Sequence, residues 1–296
     1  MAKKPSSANA TKAKRSFWEQ NHKILLGFAL SLTALSGFFF FDPNVSTGGD
    51  DAQYIQRGYN FIFEGRWPTF QGPLYPVFLS VFIYLFGINL FVLKLLSLLS
   101  TLGFLYFFYR TFQHILPGFM LAGLMFLFAI NASLLYYASQ TYNEAFFLFL
   151  QMLFIFLFKK YAIDAEQSQW KELLIISVLL FFLFLVKSVA IAALPAVLLY
   201  FILRKRFKTA GIVLVFYVLL FTGYQGIKQL AFESKGLQMG SQGSTLLLKN
   251  PYKPDEGRED LSGFFTRFWV NSNQYISQQF YKFMGLRPDV YVMENK

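Results

Sequence analysis

The 296-residue chain contains no cysteine and only two histidines, and just 15% of its residues are charged. The missing cysteine excludes disulfides, thiolate catalysis and cysteine-ligated metal. His22 and His114 lie near helix ends with no histidine partner in motif spacing, which argues against a histidine-based metal site. A soluble domain carries more charge, about 25% of its residues. The short alternating segments of a membrane barrel are absent as well. What the chain has instead is apolar mass: 55% hydrophobic and 20% aromatic residues, with 39 Phe. Apolar runs of roughly 15–21 residues recur, close to the length a hydrocarbon core demands. The expected fold class is an all-α polytopic membrane protein.

The net charge is +11, and its distribution is more telling than its sum. Residues 1–23 hold Lys3, Lys4, Lys12, Lys14, Arg15 and Lys23 against Glu19 alone. Arg204, Lys205, Arg206 and Lys208 form a second cluster, and Lys159, Lys160 and Lys171 flank a third loop. Basic residues gathered in short loops between apolar runs follow the positive-inside rule, and nucleic acid is not an expected partner. Phe38-Phe39-Phe40-Phe41 stands where a cleaved signal peptide would have small residues, so the first apolar run reads as an uncleaved anchor.

Candidate spans are 24–41, 90–110, 118–137, 143–158, 171–187, 189–203 and 210–228. The apolar stretch 73–88 is short for a span. If it crossed, Lys159-Lys160 and the cluster 204–208 would fall outside, so it reads as interfacial or re-entrant. The expectation is about seven spans with a cytoplasmic N-terminus. The regions are a basic tail (1–23), a transmembrane module (24–228) with an external loop at 42–89, and an external segment (229–296). Residues 51–64 carry a rough apolar stripe, Tyr54, Ile55, Tyr59, Ile62 and Phe63, and read as a juxtamembrane helix stopped by Gly65 and Pro68. Trp67 is expected at headgroup level. Phe264, Phe265, Phe268, Trp269, Ile276, Phe280, Phe283 and Met284 recur at spacings near three and four. They predict an amphipathic helix that lies on the membrane or caps a cavity.

With this topology Asp50-Asp51, Glu144, Lys187 and Lys94 all belong to the outer side. Charges of both signs collected at one side of an apolar bundle imply a polar cavity there. Each residue has two readings. Asp50 with Asp51 is a general base and its neighbour, or a helix cap. Glu144, in Ser139-Gln140-Thr141-Tyr142-Asn143-Glu144, shapes a site or complements a helix dipole. Lys187 follows the apolar run 173–186 and holds a phosphate as a point charge, or snorkels to the interface.

The order and spacing of these residues resemble the GT-C glycosyltransferases, in particular the bacterial branch akin to protein O-mannosyltransferases and the lipid A aminoarabinose transferase. Asp50-Asp51-Ala52-Gln53-Tyr54, with Gly65-Arg66-Trp67, looks like the family's first-loop acidic motif and its juxtamembrane helix. Phe70-Gln71-Gly72-Pro73-Leu74-Tyr75-Pro76 looks like its Pro-Leu-Tyr-Pro element, and Glu144 and Val186-Lys187 have counterparts at helix ends. The resemblance implies a transferase of the plasma (inner) membrane. It would take a sugar from a polyprenyl-phosphate donor and pass it to lipid A, another envelope glycan or a protein, on the external face. Asp50 and Asp51 would be its catalytic carboxylates. Glu144, Lys187, Tyr54, Arg66 and Lys94 would bind substrate, with Lys187 on the donor phosphate. No cofactor is assigned, and a divalent cation is left open, with Asp50, Asp51 and Glu144 as candidate ligands. Two departures accompany the likeness. Some relatives carry a basic residue before the first Pro, where this chain has Gly72. The family also continues with further spans, which implies a C-terminally shortened chain.

Overall fold

The computed structural model describes residue 17 and residues 21–41, 44–45, 49–68, 72–232, 247–250 and 253–279. These residues are helical almost throughout. The one β contact among them is an isolated antiparallel bridge between Leu248 and Arg258.

The first apolar run forms α1 (His22–Phe39). The juxtamembrane stripe forms α2 (Asp50–Glu64), stopped at Gly65, whose left-handed φ of 63° lets the next N–H, that of Arg66, turn back onto the Asn60 carbonyl at 3.1 Å. The element beginning at Pro73 forms α3 (Leu74–Phe86). At 13 residues it is about 20 Å long, well under the roughly 30 Å of a hydrocarbon core. Then follow α4 (Leu90–Phe112), α5 (Gly118–Ala129), α6 (Ala132–Ala138) and α7 (Asn143–Phe158), which runs on through a π-turn at Lys159–Ile163. Next come α8 (Trp170–Val186), a 3₁₀ turn (Ser188–Ala192), α9 (Ala193–Leu203) and α10 (Phe207–Ala231). The last described α-helix is α11 (Leu261–Gln274), which runs into a π-turn at Tyr275–Gln279.

Three of these segments are long and apolar enough to cross a membrane: Leu90–Phe112, Asn143–Ile163 and Phe207–Ala231. A fourth qualifies if α5 and α6 are counted as one. The other expected spans do form helices, but shorter ones. The expected single span 118–137 is broken, and its halves are bent by 56°. The break falls at Asn131, whose side chain accepts from Leu134 N at 2.9 Å and so starts a new helix. The expected span 189–203 opens as a 3₁₀ turn, because Lys187 is extended (φ −140°, ψ 122°) and interrupts the run.

Two apolar cores organise the helices. The larger joins α2, α3 and α7–α10 around Tyr75, Leu79, Ile176 and Phe201, and the smaller joins α1 and α4–α6 around Leu105, Met125 and Ala129. The closest helix crossings use glycine. A Cβ at Gly58 of α2 would stand 2.9 Å from the Pro76 carbonyl of α3, and one at Gly103 of α4 would stand 2.7 Å from the Phe149 ring of α7. Tyr54 and Tyr75 pack edge to face across the α2–α3 seam at 5.2 Å.

Arg206, between α9 and α10, closes the bundle at one end. Its guanidinium donates to the carbonyls of Ala162 (3.1 Å), Ala165 (3.1 Å) and Glu166 (2.6 Å), at and just beyond the π-turn that ends α7. These carbonyls have lost their onward helical donors, and a fork of N–H groups satisfies several at once. At the opposite end lie the head of α7, the tail of α8 and the first turn of α4.

Trp67 does not stand free. It stacks near Phe232 at 4.9 Å and donates from Nε1 to Tyr224 Oη at 3.3 Å, tying the segment after α2 to α10. In α11 the exposed Phe265, Phe268 and Trp269 share one face, which Ile276 extends into the π-turn that follows. Arg267, on the opposite face, holds the Leu248 carbonyl at 2.7 Å. The expected helix is thus present over Leu261–Gln274, while Phe280, Phe283 and Met284 lie outside the described residues.

Candidate functional site

Asp50, Tyr54, Asn143, Glu144, Lys187, Ser188 and Val189 line one cleft of ≈ 260 Å³. It is built from three places in the chain: the first turn of α2, the head of α7, and the break after α8. Asp50 opens its helix rather than capping it. The cap position is Gly49, in a left-handed conformation (φ 73°) with no side chain to offer. Asp50 and Asp51 both fall in the first turn, where the helix dipole favours a negative charge.

The structure separates that acidic pair. Asp50 lines the cleft, while Asp51 is fully buried, off the lining, and accepts from Ala52 N at 2.8 Å. Consecutive residues on a helix point about 100° apart, and here that offset turns Asp51 away from the opening that Asp50 faces. Tyr54, one turn on from Asp50, returns to the cleft side. Burial, with the nearby Glu144 and Asp50 carboxylates, raises its hydroxyl well above the usual phenol range. It therefore stays a neutral hydrogen-bonding group.

Glu144 and Lys187 meet across the α7–α8 seam as an ion pair of 2.7 Å, each side chain 30% exposed. The ammonium also lies 5.8 Å from the centre of the Phe147 ring, one turn further along α7. Lys187 does not point away from the bundle as a snorkelling lysine would; it is held at the cleft wall. The backbone beneath it is fixed as well. Asn143 Nδ2 donates to the Val186 carbonyl at 3.1 Å.

Gly72 has φ 86°, and a Cβ there would stand 2.3 Å from the same Val186 oxygen and 2.6 Å from that of Leu185. This explains the departure noted before Pro73: no side chain, basic or otherwise, fits at position 72. Gly72→Ala is expected to destabilise the fold by about 2–4 kcal/mol, from left-handed strain plus a clash with rigid backbone. Gly65 provides the comparison. It too has positive φ (63°), but nothing lies within 4 Å of its Cβ position. Gly65→Ala should therefore cost only the strain, about 1–2 kcal/mol. Thermal unfolding of both variants measures the difference, and equal losses would contradict the close packing of residue 72 on α8.

The remaining sequence candidates lie elsewhere. Lys94 is completely buried and donates to the Asn44 carbonyl and to Gln140 Oε1 (3.3 Å), bracing the loops around the cleft end of the bundle rather than lining the cleft. Arg66 is paired with Glu64 at 3.1 Å on an exposed surface past the end of α2. Of the proposed cation ligands, Asp50 and Glu144 share the cleft and Asp51 does not; among the described residues no three His, Cys, Asp or Glu side chains form a metal-binding group. Glu144 is already engaged by Lys187, and Asp51 is off the lining.

Three lining residues were not singled out from the sequence: Asn143, Ser188 and Val189. Asn143 precedes Glu144 directly, but its partner is a main-chain carbonyl 43 residues away, and no local pattern reports such a bond. In comparison with known proteins, no family model, curated protein or solved structure matches the chain.

Proposed function

We propose that the chain is a polytopic membrane glycosyltransferase of GT-C type. In this reading it transfers a sugar from a polyprenyl-phosphate donor to an envelope acceptor (lipid A, another glycan or a protein) at the outer face of the plasma membrane. The supporting observation is the cleft itself. Asp50, Glu144 and Lys187, separated by more than 90 and then 40 residues of apolar chain, share one small polar opening at the same end of the bundle. Exposed apolar residues along the helices, among them Leu199 and Leu203 of α9 and Val215 and Leu219 of α10, support a bilayer rather than water around them. The basic residues Lys159, Lys160, Arg204 and Arg206 lie at the far end, which matches a cytoplasmic side there.

The chemistry assigns one role to each wall. Asp50 takes the proton of the acceptor hydroxyl as its oxygen attacks the anomeric carbon. The bond from that carbon to the phosphate oxygen breaks, and the carrier leaves as polyprenyl phosphate. A carboxylate is a competent base for this proton because the hydroxyl becomes acidic only as its bond to carbon forms. Lys187 offsets the charge that grows on the leaving phosphate. Tyr54, neutral at working pH, hydrogen-bonds the sugar or the acceptor. No step runs through a metal.

The test is transfer of a labelled sugar from a synthetic polyprenyl-phosphate donor by the purified chain in lipid nanodiscs. Acceptors are offered as an envelope extract. Transfer that depends on donor and chain supports the reading; absence of both transfer and carrier binding overturns it. The bent α5–α6 pair favours a second reading, a carrier-binding transport protein, since broken helices also occur in transporters. That reading predicts carrier movement across a sealed vesicle without sugar transfer.

A further inference from the structure

Asn143 and Glu144 are consecutive at the head of α7; Val186 and Lys187 are consecutive at the end of α8. The two dipeptides touch twice. Asn143 Nδ2 donates to Val186 O at 3.1 Å, and Lys187 Nζ donates to Glu144 Oε1 at 2.7 Å. The first contact is deeply buried, with Asn143 3% and Val186 0% exposed. The second opens on the cleft.

The Val186 carbonyl is one that the broken helix leaves over. After Lys187 the chain turns into a 3₁₀ segment, so the regular donor four residues on is lost. A buried main-chain oxygen in that state needs a partner, and the Asn143 amide is one. The other side of the oxygen is closed by the Gly72 backbone, too near to admit a Cβ. Two independent elements thus converge on one atom. That atom belongs to the residue immediately before Lys187.

We propose that Asn143 is a positioning residue for Lys187. By holding the Val186 carbonyl it sets where α8 stops, and so where the ammonium enters the cleft and meets Glu144. For catalysis the inference rests on the reading that Lys187 meets the donor phosphate. For geometry it does not, and the two are tested separately. The ordinary alternative is that Asn143 only satisfies a helix end. Its loss would then cost stability and leave the environment of Lys187 unchanged.

The experiment uses the full chain in nanodiscs and reads the labelling rate of Lys187 by an amine-reactive ester, with Lys159 at the far end of α7 as internal reference. Asn143→Ser is the first variant. Its hydroxyl falls short of the carbonyl, and serine suits a helix start. Asn143→Leu is the second, keeping the volume without any donor. Each should raise the Lys187 to Lys159 labelling ratio about 3–10-fold, the scale of one lost neutral hydrogen bond. Each should also lower kcat/KM for the polyprenyl-phosphate donor by a similar factor. An unchanged ratio in both variants overturns the inference, even if stability falls. A raised ratio in a chain whose unmodified form binds no polyprenyl phosphate upholds the positioning role and overturns the functional reading instead.

Discussion

On the proposed function, Asp50→Asn is expected to lower sugar transfer by about 10²–10⁴-fold, the scale of a positioned general base, with the fold and carrier affinity retained. Of the three candidate carboxylates, the proposed mechanism uses Asp50. Asp51 is buried off the cleft lining, and Glu144 is committed to Lys187 at 2.7 Å. Asp50 lines the cleft and, among the described residues, is held by no lysine. The substitution keeps the size of the side chain and one of its acceptor oxygens. Its structural cost is limited to the lost charge in the first turn of α2, about 0.3–1 kcal/mol, since Gly49 and not Asp50 is the cap. Transfer is measured beside carrier affinity on the same preparation. Near-normal transfer by the variant would remove Asp50 as the base.

Lys187→Met should act on the other substrate. Removing a charge-assisted contact to phosphate is expected to weaken carrier binding by about 10–100-fold, corresponding to roughly 1.5–3 kcal/mol. The same change strands Glu144, whose side chain is only 30% exposed, and should destabilise the fold by about 1–3 kcal/mol, between the surface and buried cases. Adding Glu144→Gln separates the two effects. It should restore stability, because no unpaired carboxylate remains, and leave carrier affinity low. Recovery of affinity by the double variant would mean that Lys187 serves Glu144 and not the phosphate.

The sequence made the helices easy to locate and their partnerships hard. The stripe of Tyr54, Ile55, Tyr59, Ile62 and Phe63 with its Gly65 stop marks α2 to within a residue, because helix period and turn chemistry are local. The brevity of α3 was equally plain from Pro73 and Gly87. The break at Asn131 was not, since a lone asparagine inside an apolar run looks the same whether it caps a new helix or faces a neighbour. Lys94 illustrates a second limit. A lysine near a helix end reads as exposed to an opening, yet here loop carbonyl and amide oxygens far along the chain close over it. At the site, the clustering of Asp50, Glu144 and Lys187 followed from the cost of isolated charge in an apolar bundle. The division of labour between Asp50 and Asp51, and the fit of Gly72 on the Val186 carbonyl, depend on how α2, α3 and α8 are docked. No spacing rule encodes that.

The Arg206 fork gives the bundle a mechanical asymmetry. From Asn143 to the end of the π-turn the segment has 21 residues, a rod of about 31 Å; Arg206 holds one carbonyl of its far end and two just beyond it, and the other end meets the cleft. Treated as rigid, such a rod would pivot beneath Arg206 as a fulcrum. A tilt of about 5° there would sweep the cleft end through about 2.7 Å, given the helix rise per residue. That is enough to part Glu144 from Lys187 while the fulcrum scarcely moves.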